Sequence, residues 1–186
     1  MEYSVLIAGF GGQGVLLIGD LLAYCGMKEG REVTWMPSYG VEMRGGAVSC
    51  TVVLSRERIG APVVGAADAV IAMSEPALHK FGERLLPRGL LLINSSFIPG
   101  VEKMVWREDL EVIPVPAGEL AGQSGAERMA NLIMLGVFLG HTGLLEPDRV
   151  AALVPSFLAP EKQRLVPEIN KALACGCTFA ASLARA

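Results

Sequence analysis

The segment Val5-Leu-Ile-Ala-Gly-Phe-Gly-Gly-Gln-Gly-Val-Leu16 constrains the fold more than any other stretch of the chain. It reads as a buried strand, a glycine turn and the start of a helix. Gly9, Gly11 and Gly14 stand at the G-x-G-x-x-G spacing, whose glycines serve a tight turn, close approach of backbone to a ligand, and close packing of helix on strand. Free amides at such a helix start can hold an anion. A side chain at Gly11 or Gly12 is expected to clash or to strain the turn, at roughly 1–3 kcal/mol. The segment predicts an α/β fold opening with a Rossmann-like βα unit, and does not by itself show that a nucleotide binds.

The rest of the chain repeats the alternation. Strands are expected at 4–9, 32–36, 47–55, 69–73, 90–94, 103–107 and 112–115. Helices are expected at 13–29, 75–86, 126–139, 148–158 and 161–174, the first with Leu16, Leu17, Leu21, Leu22 and Cys25 on its buried face and Gly30 as its C-cap. Pro76 suits a first helical turn. Pro37 to Gly46 reads as a glycine-bearing loop. Continuous apolar strands alternating with helices imply a three-layer α/β architecture, a mainly parallel sheet with helices on both faces. The 186 residues carry no internal repeat and no interdomain linker, so 1–186 is expected to form one domain.

Composition narrows the function. Charged residues are only 19% of the chain and hydrophobic ones 52%, a balance expected of a subunit that buries surface against partners, or of one large core. The net charge of −3 and scattered basic residues argue against nucleic acid. The start has no positive n-region, and no apolar run reaches about 18 residues, so neither a signal peptide nor a membrane span is expected and the chain is placed in the cytoplasm. Cys25, Cys50, Cys175 and Cys177 make no C-x-x-C pair and no ferredoxin-type run. Free thiols are the expectation, with a metal or redox role at Cys175 and Cys177 as the alternative.

The dinucleotide reading needs an acid at the end of strand two to hold the ribose hydroxyls. Val33-Thr-Trp-Met-Pro37 ends without one, and Glu32 stands at the wrong end. The P-loop reading fails because no Gly-Lys-Ser/Thr closes the turn. Gln13 either hydrogen-bonds outward or caps its own helix start. His79 and His141 read as solvent-facing or structural, and no zinc-hydrolase or nucleophile-elbow pattern appears. The loop Tyr39-Gly-Val-Glu-Met-Arg-Gly-Gly46 places Glu42 and Arg44 beside the carboxyl end of strand two, the edge where open α/β sheets take ligands. The pair either shapes its own loop or grips an anionic or neighbouring group.

Together, Gly9-Phe-Gly-Gly-Gln-Gly14 and Pro37-Ser-Tyr-Gly-Val-Glu-Met-Arg-Gly-Gly46 resemble the gamma subunit of 2-oxoacid:ferredoxin oxidoreductases. Ala66 to Met73 is similar to a strand of that family and Asn131-Leu-Ile-Met-Leu-Gly136 to its Asn-bearing helix, so the resemblance covers nearly the whole chain. It implies a non-catalytic gamma polypeptide, inactive alone, within a complex that oxidatively decarboxylates a 2-oxoacid with coenzyme A and passes electrons to ferredoxin. The wording of the loop resembles the 2-oxoglutarate or branched-chain versions, with 2-oxoglutarate preferred. Alternatives are an indolepyruvate-type subunit and a stand-alone nucleotide-binding oxidoreductase. Thiamine diphosphate and iron–sulfur clusters are implied for companion chains; no Gly-Asp-Gly…Asn-Asn motif occurs here, and Asp68 and Asn94 lack that context. Implied partners are alpha and beta subunits, with a ferredoxin-like delta subunit as a further candidate, and a homo-dimer when the chain is isolated. The resemblance assigns no catalytic residue. It gives Gly9, Gly11, Gly12, Gln13, Gly14, Glu42 and Arg44 a cofactor-binding or interface role.

Overall fold

The computed structural model describes residues 2–39, 47–61 and 63–184. The chain divides into two compact units, Met1–Val115 and Pro116–Ala186.

The first unit is built on a six-stranded sheet: β1 (Glu2–Phe10), β2 (Glu32–Tyr39), β3 (Ala47–Ser55), β4 (Ala67–Ala72), β5 (Leu85–Asn94) and β6 (Glu111–Val115), in the order β2-β3-β1-β4-β5-β6. The pairings β1–β4, β4–β5 and β5–β6 are parallel, while β3 runs antiparallel to both β1 and β2. The sheet is therefore mixed and mainly parallel. Val5, Ile7, Val70, Ile71, Leu91 and Leu92 in its middle strands are buried, as expected of strands covered on both faces.

Helix α1 (Val15–Lys28) packs on β1, β2 and β3, and α2 (Glu75–Phe81) on β1 and β4. They take opposite faces. A β carbon on Gly19 of α1 would run into Cys50, the register partner of Ile7. Ala77, Leu78 and Phe81 of α2 instead cluster with Leu6, Ala8, Val70 and Ala72. Side chains alternate along a strand, so Ile7 and Leu6 face opposite ways. At the amino ends of β1 and β4, Asp68 accepts hydrogen bonds from the Ser4 N–H (2.8 Å) and Ser4 Oγ (2.7 Å).

The second unit holds α3 (Ala117–Ser124), α4 (Ala130–Thr142), α5 (Pro147–Phe157) and α6 (Val166–Leu183). Leu132 to Leu139 of α4 are buried without a break, so this helix has no solvent face for most of its length. It crosses α6 where Gly136 and Gly176 meet. A β carbon on Gly136 would collide with the Leu173 carbonyl, and one on Gly176 with the Ile133 carbonyl.

Several expected boundaries move. The buried face of α1 is Val15, Ile18, Leu21, Leu22 and Cys25, completed by Gly19 and Gly26, while Leu16 is half-buried and Leu17 exposed. The glycines let the helix axis approach β3, which rotates the stripe. Gly30 ends α1 as expected: at φ 75° its N–H donates to the Met27 carbonyl and that of Arg31 to the Gly26 carbonyl, a Schellman closure. Pro37 to Tyr39 continue β2 and are not loop; β2 is an edge strand, where proline leaves no missing ladder bond. α2 stops at Phe81, five residues early, because Leu85 already pairs with Ala67. β5 then bulges through Pro87 and Arg88, the latter at φ 63°, before pairing resumes at Leu90. No strand forms at 103–107: Val101–Lys103 is a single 3-10 turn and the chain then runs irregularly. The helix expected at 126–139 starts at Ala130, behind a separate α3, and that expected at 161–174 is a 3-10 stretch followed by α6 from Val166.

Candidate functional site

β1 and β4 are neighbours, yet the chain leaves their carboxyl ends toward opposite faces of the sheet. That makes the crevice between them a topological switch point, where open α/β sheets take ligands. The glycine turn lies there, and its glycines turn out to be there for different reasons. Gly9 is buried, and a β carbon on it would stand 2.5 Å from Gln13 Oε1, 2.8 Å from Met73 Cβ and 3.0 Å from Val15 Cγ2. Gly12 (φ 95°) and Gly14 (φ 72°) need the left-handed backbone that glycine adopts without strain. Gly11 has neither constraint: it is exposed, its φ is not in the left-handed region, and among the described residues no atom beyond its chain neighbours lies within 4 Å of where a β carbon would stand. The expected clash at Gly11 is thus absent among those residues, while the strain expected at Gly12 is present.

Gln13 turns inward. Its Oε1 accepts from the Phe10 N–H at 2.7 Å and its Nε2 donates to the Met73 carbonyl at 3.0 Å. A carbonyl only accepts and an N–H only donates, so the pair of bonds fixes the orientation of the amide. The Gln13 N–H also donates to the Phe10 carbonyl (3.1 Å). Gln13 therefore ties the end of β1 to the residue after β4; it neither bonds outward nor caps α1, whose start has no side-chain cap bond. The Met73 carbonyl, just past the end of β4, is a part of this site that the sequence does not single out; a backbone carbonyl carries no residue signal, and only strand order reveals it. Ser74 precedes α2 but its side chain makes no cap bond, and its buried Oγ has no hydrogen-bond partner among the described residues.

Glu42 and Arg44 lie outside the described residues. Tyr39, immediately before them, closes β2 with its side chain 67% exposed, and Trp35 and Met36 of the same strand are also exposed. β3 separates β2 from β1. The end of β2 thus stands two strand spacings, about 9–10 Å, from the glycine turn. A dinucleotide-binding unit keeps those ends adjacent, so strand order removes that reading independently of the missing acid.

Among the described residues no group of three or more His, Cys, Asp or Glu could hold a metal ion, and no helix is long and apolar enough to cross a membrane. The four cysteines are free thiols. Burial pushes the Cys25 and Cys50 thiols up to about 12, Cys50 despite a hydrogen bond with Trp35. Cys177 Sγ donates to the Gly136 carbonyl (3.3 Å), and its thiol too is raised, first by burial and then by Asp148. Cys175 Sγ is aimed at the Leu120 carbonyl (3.9 Å). His79 lies on the exposed side of α2, 3.6 Å from Glu75.

Three known proteins are similar to this chain. The ketoisovalerate oxidoreductase subunit VorA of Methanothermobacter thermautotrophicus is 42% identical over 166 residues, covering 87% of this chain and 33% of its own length. The chain thus spans about a third of the length of that relative. The 2-oxoglutarate synthase subunit KorC of Methanothermobacter marburgensis is 33% identical over 164 residues, with 86% of this chain and 88% of its own covered. The gamma subunit of a keto/oxoacid ferredoxin oxidoreductase from Geobacter sulfurreducens superposes with a TM-score of 0.79 at 26% identity, over 97% of this chain and 99% of its own. Residues 4–178 match the family described as pyruvate ferredoxin/flavodoxin oxidoreductase. Matched over nearly its whole length, the chain belongs to the pyruvate ferredoxin/flavodoxin oxidoreductase family and shares the fold of a gamma subunit of a keto/oxoacid ferredoxin oxidoreductase.

Proposed function

We propose that the whole chain serves as one gamma-type domain, a non-catalytic subunit of a 2-oxoacid:ferredoxin oxidoreductase that decarboxylates a 2-oxoacid oxidatively with coenzyme A. The observation that carries this reading is the family match across 4–178, which spans both compact units. Thiamine diphosphate and iron–sulfur clusters then belong to companion chains of alpha and beta type, with a ferredoxin-like delta chain as a further partner and ferredoxin as electron acceptor. The buried neutral thiols suit the reducing cytoplasm.

Within that reading, the carboxyl edge of β1 and β4 is the contact edge. Gly9, Gly12, Gln13 and Gly14 shape it, and Gly11 leaves its backbone open to a neighbouring chain or to coenzyme A. Glu42 and Arg44 complete it from the loop after β2. Calorimetric titration with coenzyme A tests the ligand version: absence of heat at millimolar ligand leaves the turn to a protein partner.

The greater identity to the ketoisovalerate subunit supports a branched 2-oxoacid as substrate, over the 2-oxoglutarate that the loop wording favours. Co-purification from the native source, followed by assay on ketoisovalerate, 2-oxoglutarate and indolepyruvate, decides among these. Loss of turnover when this chain is withheld from the reconstituted complex is the expected result. Turnover by the isolated chain, or tight NAD(P)H binding to it, would establish the stand-alone oxidoreductase instead.

A further inference from the structure

A cavity of about 330 Å³ opens beside the end of α2, where β5 and β6 begin, and so at the opposite edge of the sheet from the glycine turn. Its apolar lining is Leu78 of α2 together with Met104, Trp106 and Leu110 of the segment before β6. The last three also pack on the core cluster that α2 covers. Residues 104–110 form no helix or strand, yet they are held. Arg107 donates to Asp109 from Nε (3.0 Å) and Nη2 (2.7 Å), and to the Leu85 carbonyl from Nη1 (2.9 Å). Asp109 also accepts from the Arg88 N–H (3.3 Å), and the Leu110 N–H closes a turn onto the Arg107 carbonyl (3.1 Å). A wall tied in this way is pre-formed, so little ordering is left for a guest to impose.

What the cavity attracts follows from the charges that line it, His79, Glu83 and Arg107. Arg107 is neutralised by Asp109 at 2.7 Å, and His79 lies 3.6 Å from Glu75. Glu83 is exposed and makes no salt bridge among the described residues. A carboxylate beside an indole recruits a guanidinium or ammonium on an apolar stem, through charge and through cation–π contact. Val105 decides what carries that group. It stands at the rim 96% exposed, between the half-buried Met104 and Trp106. A metabolite sunk in the cavity leaves this isopropyl group in water, whereas a peptide chain crossing the rim covers it. We propose that the cavity is a docking site for a partner protein: one arginine or lysine side chain of the partner enters beside Glu83 and Trp106, and an apolar neighbour in the partner's chain packs on Val105. The site lies apart from the carboxyl edge and does not depend on the role given to that edge.

Nuclear magnetic resonance titration of the full chain with acetyl-Leu-Arg-Leu-amide, and with a neutral control carrying norleucine in place of arginine, tests this. The expected result is a shift of the Trp106 indole and Val105 amide resonances with both peptides, and an affinity about fivefold greater for the arginine peptide. Glu83→Gln should erase that preference and leave the affinity for the control unchanged. Val105→Ser should weaken both peptides. Both side chains are exposed, so folding should survive either change. Equal affinities for the two peptides, or no shift at Trp106, overturns the proposal. Agmatine binding as tightly as the arginine peptide overturns it in favour of a small-molecule site. Shifts at Trp106 that grow with protein concentration alone overturn it in favour of a second copy of this chain.

Discussion

At Gly9 the next heavy atoms leave no space for a methyl group, whereas at Gly11, two residues on, the described residues offer nothing to meet. Gly9→Ala must displace the Gln13 amide or the Met73 side chain, and a loss of about 1–3 kcal/mol is expected for such overpacking. Gly12→Ala costs about 1–2 kcal/mol through its left-handed backbone alone. Gly11→Ala should fall within about 0.5 kcal/mol of the wild type. Chemical denaturation of the three variants checks the ranking, and a Gly11 variant as damaging as Gly9→Ala would contradict the described turn. Gln13→Glu separates the two bonds of the amide. A carboxylate still accepts from the Phe10 N–H but turns an oxygen against the Met73 carbonyl, so about 1–3 kcal/mol should be lost, and more at neutral pH than in acid, where the protonated acid can donate again.

At the scale of elements, two glycine contacts set the packing distances. Gly19 and Gly26 bring α1 onto Cys50 and Leu54 of β3, and Gly136 and Gly176 bring α4 onto α6. In the second pair the obstacle is backbone carbonyl, which cannot rotate away. Gly176→Ala is therefore expected to cost at least as much as a typical overpacking change, about 1–3 kcal/mol, read as a fall in Tm. The α1–β3 layer also makes stability depend on pH. Cys25 and Cys50 are neutral when protonated, and burial raises both from 9.0 to about 12. In the unfolded chain they ionise near their ordinary value while the folded chain keeps its protons. Stability from this source is complete below about pH 9 and declines until about pH 12. Cys50→Ala should flatten the fall in Tm through that window, and an unchanged slope would place the alkaline loss elsewhere. The same layer shows what the residues alone could and could not tell. β1, β3 and the glycine turn were legible because alternation and a left-handed turn leave local marks. The insertion of β3 between β1 and β2 was not, since pairing of distant strands has no local mark. Likewise the β5 bulge outranked the helical pattern of 82–86, and the inward turn of Gln13 depends on a carbonyl sixty residues away in sequence. The site was legible as a place and not as a set of bonds; its Glu42 and Arg44 half remains an expectation from sequence.

For the molecule as a whole, the informative quantity is what the first unit leaves uncovered. β2 is an edge strand with Trp35, Met36 and Tyr39 exposed, and Pro37 on it withholds one edge N–H. A proline on an edge hinders strand addition, so association here is expected through side chains rather than by extending the sheet. Trp35 and Tyr39 point to one face of the sheet and Met36 to the other, so the exposed apolar area lies on both sides of the free edge of β2. The double variant Met36→Ser, Tyr39→Ser removes apolar area without opening a cavity. Its isolated Tm should stay within the shift that about 0.5 kcal/mol produces. Self-association of the purified chain and its retention in the reconstituted complex should both weaken, as seen by analytical ultracentrifugation and co-purification. Gly11→Val complements it: the described residues meet no β carbon there, so folding should survive while assembly or coenzyme A response is lost. If both variants assemble and turn over as the wild type does, the carboxyl edge and β2 are only scaffold, and the contacts of this subunit lie on its other surfaces.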